Sequence, residues 1–273
     1  MVKLFTVCYT QEQFEKAENP WDNLKNVHPE LREFPVFEEA YRSDKTKDLK
    51  YWGLLSPKFP SKAFMSVKAF QEWIEKSPSR DVYFVNPVPI VEAIFPGVIQ
   101  HGENCHSGMK DLLQRNISTK VDFSTLYSDC NTFAMCNYFV GNRKFWDAYI
   151  KFVQEFSTSV EKNPQDKRMM YEESASYGPN KSLPYYTFAV ERLFTIFLQL
   201  EAPRLGITFA HYTYSFDELV KKTSLPTEII EELVALSDIK QIAISAKYYG
   251  MMRHWAFFRN RLAKQNPYLF LME

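Results

Sequence analysis

Apolar residues in this chain alternate between short continuous runs and longer stretches at helical spacing, the pattern of an α/β domain. Residues 3–9 (KLFTVCY) form a near-continuous apolar run and predict a first strand buried on both faces. Residues 10–16 turn polar, so the strand's carboxyl end is expected to open into a loop. Residues 49–55 (LKYWGLL) and 81–85 (DVYFV) predict two further strands. The first is closed by Ser56-Pro57-Lys58-Phe59 and the second ends at Asn86-Pro87. Between them, residues 67–76 place Val67, Phe70, Trp73 and Ile74 on one helical face behind an N-cap, Ser66. The charged stretch 18–48, broken by Pro20, Pro29 and Pro35, reads as a surface excursion with a short helical piece at 36–42. Pro89 suits the first turn of a helix at 90–94.

The most informative unit is 127–156. A polar loop with Ser128, Asp129 and Asn131 leads into an expected strand at 133–140, followed by a Gly141-Asn142 break. Phe145, Ala148, Tyr149, Phe152 and Phe156 then recur at the spacing of a buried helix face. Residues 157–182 are polar, contain Pro164 and Pro179, and read as a mobile excursion or lid. Leu183-Pro184 opens a strongly apolar helix in which Val190, Leu193, Phe194, Phe197 and Leu200 cluster, with Glu191 at the edge of that arc. The remainder is mainly helical: Ser215 caps 216–222, Pro226-Thr227 starts 227–246, and 251–262 is basic and aromatic.

Composition narrows the function classes. Lys plus Arg and Asp plus Glu both total 33, so no overall positive charge draws the chain to a polyanion, and nucleic acid is not expected as a partner. The four cysteines, Cys8, Cys105, Cys130 and Cys136, form neither a CxxC nor a paired spacing with histidine, so they read as reduced thiols. No stretch approaches the roughly 18 apolar residues of a membrane span, and MVKLFTVCYT is too short an apolar run for a secretory signal. A cytoplasmic location is expected. With 8 glycines the chain contains neither GxGxxG nor GxxxxGK[ST], which removes the usual dinucleotide and P-loop readings.

The candidate chemistry lies at strand ends, where open α/β sheets hold ligands. Tyr9 and Thr10 end the first strand and could contact a base or ring, although Tyr9 could equally be core. Lys58 follows the second strand and could neutralise a phosphate. HGENCHSG, 101–108, reads as a Gly-bracketed polar loop for substrate binding; its His101, Glu103 and His106 also invite a metal reading, without the HExxH spacing. A carboxylate at the border of a buried helix face is harder to ionise than in water, the condition that a general base needs. Glu191 holds that position, and it could instead pair with Arg192.

The order of elements is similar to nucleotide-sugar glycosyltransferases with the GT-A fold, especially small bacterial enzymes that build capsule and lipopolysaccharide O-antigen. Three passages carry the resemblance: KLFTVCYT with KYWGLLSPKF and DVYFVNP, then CNYFVGNRKFWDAYIKFVQEF, and then LPYYTFAVERLFTIFL. It implies a Rossmann-related mixed sheet flanked by helices: a nucleotide-sugar-binding and catalytic domain at 1–205, with a helical region at 206–273 packed on it. It implies a transferase moving a sugar from a nucleotide-sugar donor to a hydroxyl of a glycan or glycolipid acceptor. Tyr9, Thr10, Lys58, Asn86 and Arg143 would hold the donor; His101, Glu103, His106, Asn131 and Asn137 would face substrate. Glu191, or failing it Asp129, would take the acceptor proton.

Metal-dependent members carry Asp-x-Asp at a mid-domain strand end, and this chain has none; the corresponding place reads Asn86-Pro87-Val88. Metal-independent transfer without a cofactor is therefore expected, because one asparagine cannot replace two hard anionic ligands. Asp129 and Glu103 are fallback ligands for magnesium or manganese. The basic aromatic segment 251–262 could touch a membrane surface, in which case the protein would work at the inner face of the membrane. Two other readings stay open: a non-catalytic interaction subunit of a polysaccharide-assembly complex, and a metal-assisted hydrolase centred on His101, Glu103 and His106.

Overall fold

The computed structural model describes residues 1–24, 26, 31, 34–176 and 182–271. Strand β1 (Val2–Cys8) leads through α1 (Gln11–Lys16) to the edge strand β2 (Pro20–Asp22), then α2 (Phe34–Arg42), α3 (Asp44–Lys47) and β3 (Tyr51–Leu55). Helices α4 (Phe59–Ala63) and α5 (Val67–Lys76) precede β4 (Val82–Phe84). Three short helices follow, α6 (Val91–Ile94), α7 (Val98–Cys105) and α8 (Met109–Asn116), before β5 (Phe139–Gly141). The long helix α9 (Arg143–Lys162), α10 (Pro164–Tyr171), and the antiparallel pair β6 (Ser174–Ser176) and β7 (Ser182–Pro184) lead into α11 (Tyr185–Arg204). The chain ends with β8 (Phe209–His211), α12 (Phe216–Lys222), α13 (Thr227–Ser245) and α14 (Tyr249–Gln265).

The main sheet is mixed, in the order β2-β1-β3-β5-β4-β8. Strand β5 runs antiparallel to both its neighbours, and every other pairing is parallel. Strands β3, β5 and β4 are buried at every position, so helices cover both faces of the sheet centre. The parallel strands share one carboxyl edge. Because β5 is reversed, the residues that enter it arrive at that same edge.

Aromatic packing fixes this arrangement. The Phe139 ring stacks between Phe194 of α11 at 4.3 Å and Phe37 of α2 at 5.3 Å. Trp146 of α9 lies flat on Trp52 of β3 at 4.0 Å and donates its indole N–H to the Trp52 carbonyl at 3.2 Å. Helix α9 starts where Asn142 accepts from the Phe145 amide. A side chain at Gly141 would place its Cβ 2.1 Å from the Phe145 ring, so glycine lets the strand turn straight into the helix.

Several sequence expectations are corrected. Of 133–140 only the last two residues join the sheet. Ala134 exchanges both backbone hydrogen bonds with the Thr195 hydroxyl, and Cys136 takes a left-handed φ of 63°, which interrupts any strand before β5. Residues 101–105 are helical, not a loop. Gly102 sits inside α7 because a Cβ there would come within 3.2 Å of Arg192 Nε and 3.3 Å of Met109, so the glycine marks a close helix contact. Residues 11–16 form α1, capped by the Thr10 hydroxyl. The stretch 157–182 is largely ordered helix: α9 runs to Lys162, and Asn163 caps α10. Buried Asp166 in α10 is held by Arg115 and Asn116. The part of that stretch at 177–181 lies outside the described residues.

The region after 205 contributes a sheet strand, β8, as well as helices, and its apolar residues belong to the same core as β1. Its helices also finish α6, whose last carbonyls have no partner within so short a helix. Lys240 of α13 donates to the carbonyls of Glu92 and Phe95, the Trp255 indole to Ala93 at 2.9 Å, and Arg259 Nε to Ile94 at 2.8 Å. Lys240 also pairs with the Glu92 carboxylate at 2.7 Å, both side chains being fully enclosed. Among the described residues no helix is long and apolar enough to cross a membrane.

Breaking that pair from one side leaves a buried charge without its partner, so Lys240→Met should lower stability by about 3–5 kcal/mol. The double variant Lys240→Met with Glu92→Leu should recover most of the loss. Urea unfolding of the three chains checks this, and strictly additive effects would mean that the two charges do not depend on each other.

Candidate functional site

A pocket of about 630 Å³ opens at the carboxyl edge of the sheet. Each part of its wall follows from the topology. Tyr9 comes from the end of β1, Ser56 to Lys58 from the end of β3, and Pro87 with Val88 from the turn after β4. Met135 to Tyr138 enter from the chain approaching reversed β5. Helix α7 and the residue after it supply His101, Cys105 and His106, while the first turns of α11 supply Phe188, Val190, Glu191 and Arg192.

Arg192 is the least expected member. Its side chain is enclosed, with the residue 3% exposed, yet it lines the pocket. Nη1 donates to the Phe188 carbonyl at 3.1 Å and to the Glu191 carboxylate at 3.0 Å, Nη2 lies 3.4 Å from His101 Nδ1, and Nε is buried with no partner. His106, 7% exposed, stacks on Phe188 at 4.0 Å and also leaves Nδ1 buried without a partner. The Tyr185 hydroxyl, donating to the carbonyls of His106 and Ser107 at 2.6 Å, fixes that turn. Burial, with the Arg192 charge beside it, holds the His106 pKa down to about 4, so the ring is neutral at pH 7.

Among the described lining residues three cations, Lys58, Lys62 and Arg192, face one carboxylate, Glu191. The Lys62 ammonium is 3.7 Å from the Cys136 sulfur, and the Ser56 and Tyr138 hydroxyls are hydrogen-bonded at 2.9 Å. Phe188, Val190 and Met135 give the cavity apolar surface between these groups. Positive charge beside aromatic walls suits an anionic ligand that also carries a ring.

Of the residues expected from sequence, Tyr9, Lys58, His101, His106, Asn137 and Glu191 meet in this pocket. The others serve elsewhere. Thr10 caps α1. Asn86 is buried and closes a turn onto Val88. Glu103 accepts from the Gly108 and Lys110 amides at 2.9 and 2.8 Å, capping the start of α8. Asp129, also buried, accepts from Asn131 and Thr132, so it and Asn131 form a self-contained turn. Arg143 lies at the opposite sheet edge, because β5 exits there, and packs over the Tyr41 ring and against Asp147. Among the described residues no three His, Cys, Asp or Glu side chains converge in a metal-ligating group.

Arg192 was legible in principle. A helix that is apolar on all sides has no solvated face, so an arginine at its middle must be buried and must find polar contacts. Neither a protein-family model, a curated protein nor a solved structure matches this chain.

His106 gives the site a pH signature. It stays neutral in the folded chain down to about pH 4 and takes up a proton on unfolding below its ordinary value of 6.5. Stability should therefore fall as pH drops through that window, by up to about 1.4 kcal/mol per pH unit. Burial pushes His211 the same way, so the His106 share is the difference between the wild type and His106→Phe. Denaturant melts from pH 7 to pH 4 should show a flatter profile for the variant; parallel profiles would remove the assignment.

Proposed function

We propose that the pocket binds a nucleotide-activated sugar and that the chain transfers the sugar to a hydroxyl of a glycan or glycolipid acceptor without a resident metal. The observation that carries this reading is the cationic, aromatic-walled pocket at the carboxyl edge of a mixed α/β sheet, with a single carboxylate among its described lining residues. The mixed sheet flanked by helices supports the reading as far as an α/β fold, and the GT-A assignment and the role in surface polysaccharide assembly rest on the resemblance alone.

In such a transfer the acceptor oxygen attacks the anomeric carbon, the bond from that carbon to the diphosphate breaks, and the nucleoside diphosphate leaves with the electron pair. The acceptor proton goes to a base. Glu191 suits this role as the carboxylate on the pocket wall, whereas Asp129 is committed to its turn. Lys58, Lys62 and Arg192 suit the diphosphate, whose charge a metal-dependent enzyme would meet with a cation. Arg192 also couples the two halves of the site. An anion that draws on its guanidinium competes with Glu191 for the same donors, so donor binding loosens the base for its proton.

A thermal-shift screen against UDP, GDP, CMP and dTDP and their sugars, with EDTA and with manganese, tests the reading. A donor at about a hundred times its dissociation constant should add about 2.7 kcal/mol of stability, and the shift should survive EDTA. Arg192→Gln should lose most of that shift. Glu191→Gln should keep it while sugar transfer falls about a hundredfold or more. A shift that needs manganese would overturn the metal-independent mechanism, and no shift with any nucleotide would favour a non-catalytic interaction subunit.

A further inference from the structure

Residues 239–272 contain six cations, Lys240, Lys247, Arg253, Arg259, Arg261 and Lys264, and no Asp or Glu. Two of these are used inside the fold, Lys240 on Glu92 and Arg259 on the Ile94 carbonyl. The other four are exposed, and among the described residues none of them forms an ion pair. The same segment carries unusual apolar exposure. Of ten large hydrophobic side chains exposed among the described residues, five lie within 242–268: Ile242, Tyr248, Phe257, Phe258 and Tyr268. Phe257 is 65% exposed and Tyr248 61%.

These features share the outward side of α14. Met252, Trp255 and Leu262 are buried and seat the helix on the domain. Opposite them, Arg253, Phe257, Arg261 and Lys264 fall at i, i+4, i+8 and i+11, one stripe along a helix of 17 residues, or about 25 Å. His254 and Phe258 flank the stripe, and the Arg261 guanidinium lies over the Phe258 ring at 5.5 Å. Tyr248 and Lys247, at the turn between α13 and α14, extend it.

We propose that this face docks on an anionic lipid membrane, with α14 lying in the plane of the interface. Unpaired cations on long apolar stems, with phenylalanine between them, match a surface that offers phosphate headgroups over an acyl boundary. A second copy of this chain fits less well, since a two-fold contact would set the cationic stripe against itself. The inference stands apart from the chemistry of the pocket and rests on the outward face alone.

The test is co-sedimentation of the full chain with vesicles of phosphatidylcholine alone and with roughly a third phosphatidylglycerol. The chain should pellet with the anionic vesicles and stay in solution with the neutral ones. Arg253→Gln with Arg261→Gln should weaken partition about twenty-five-fold, at about fivefold per cation. Phe257→Ser should weaken it by about tenfold or more. All these positions are exposed, so the variants should unfold at the wild-type temperature. Equal partition onto both vesicles, or variants that pellet like the wild type, would overturn the proposal. So would a chain that ignores both vesicles: a dimer in sedimentation velocity that Phe257→Ser dissolves would then assign the face to a second copy, and a monomer would leave it to an acidic protein.

Discussion

Strand β5 is only three residues long, yet the pocket depends on its direction. Running against β3 and β4, it delivers residues 135–138 to the carboxyl edge, where the ends of β1, β3 and β4 already converge. The reversal is held by packing more than by its few ladder bonds. Phe139 stacks with Phe37 and Phe194, which ties the strand to α2 and α11, and Trp146 on Trp52 locks the helix that leaves it. Such aromatic contacts add about 0.5–1.5 kcal/mol each beyond the area they bury. The same constraint sends Arg143 to the far edge, so residues seven positions apart in sequence, Cys136 and Arg143, end on opposite sides of the sheet.

Local periodicity made most of the architecture legible. Ser66, Asn142 and Ser215 cap the helices that their sequence contexts announce, and of the expected strands 3–9 forms one residue earlier while 49–55 and 81–85 form shortened. What could not be read was any choice made by a distant neighbour. Ala134 leaves the strand because Thr195, 61 residues away, takes both of its hydrogen bonds. Gly102 resembles a loop signal in sequence and is in fact the space into which Arg192 packs. Polar side chains were the hardest to assign. Asp129, Glu103 and Asn86 have the right chemistry for a site, and all three are satisfied by backbone or side-chain groups nearby. An acidic residue next to a turn or helix start has a local partner waiting, which sequence alone cannot distinguish from a catalytic role.

The pocket wall, by contrast, includes two groups that the fold leaves incompletely satisfied. A buried polar atom without a hydrogen bond costs about 1–3 kcal/mol. His106 Nδ1 and Arg192 Nε are both such atoms, and both side chains line the same cavity. Other such atoms lie away from the lining residues, among them the Tyr149 hydroxyl, Trp21 Nε1, Asn23 Nδ2 and Gln100 Oε1. A nearly buried guanidinium, a neutral imidazole and a paired carboxylate around one cavity offer polar groups that a packed apolar core does not.

The equal totals of 33 basic and 33 acidic residues describe the chain as a whole and hide how the charges are placed. Carboxylates tend to sit where they cap helices or pair at i,i+4 along surface helices, as Glu12 does with Lys16 and Asp147 with Arg143. Such pairs contribute little to stability and leave almost no field beyond them. Two places bring several cations close together, the pocket wall with Lys58, Lys62 and Arg192 and the outward stripe of α14. A net charge of zero gives no long-range field of one sign, while cations held close together still act within a Debye length, about 8 Å at physiological salt. Short-range recognition of phosphate is thus compatible with a neutral sequence, provided that the ligand is small enough to enter the pocket or presents its charges in a plane, as a membrane does.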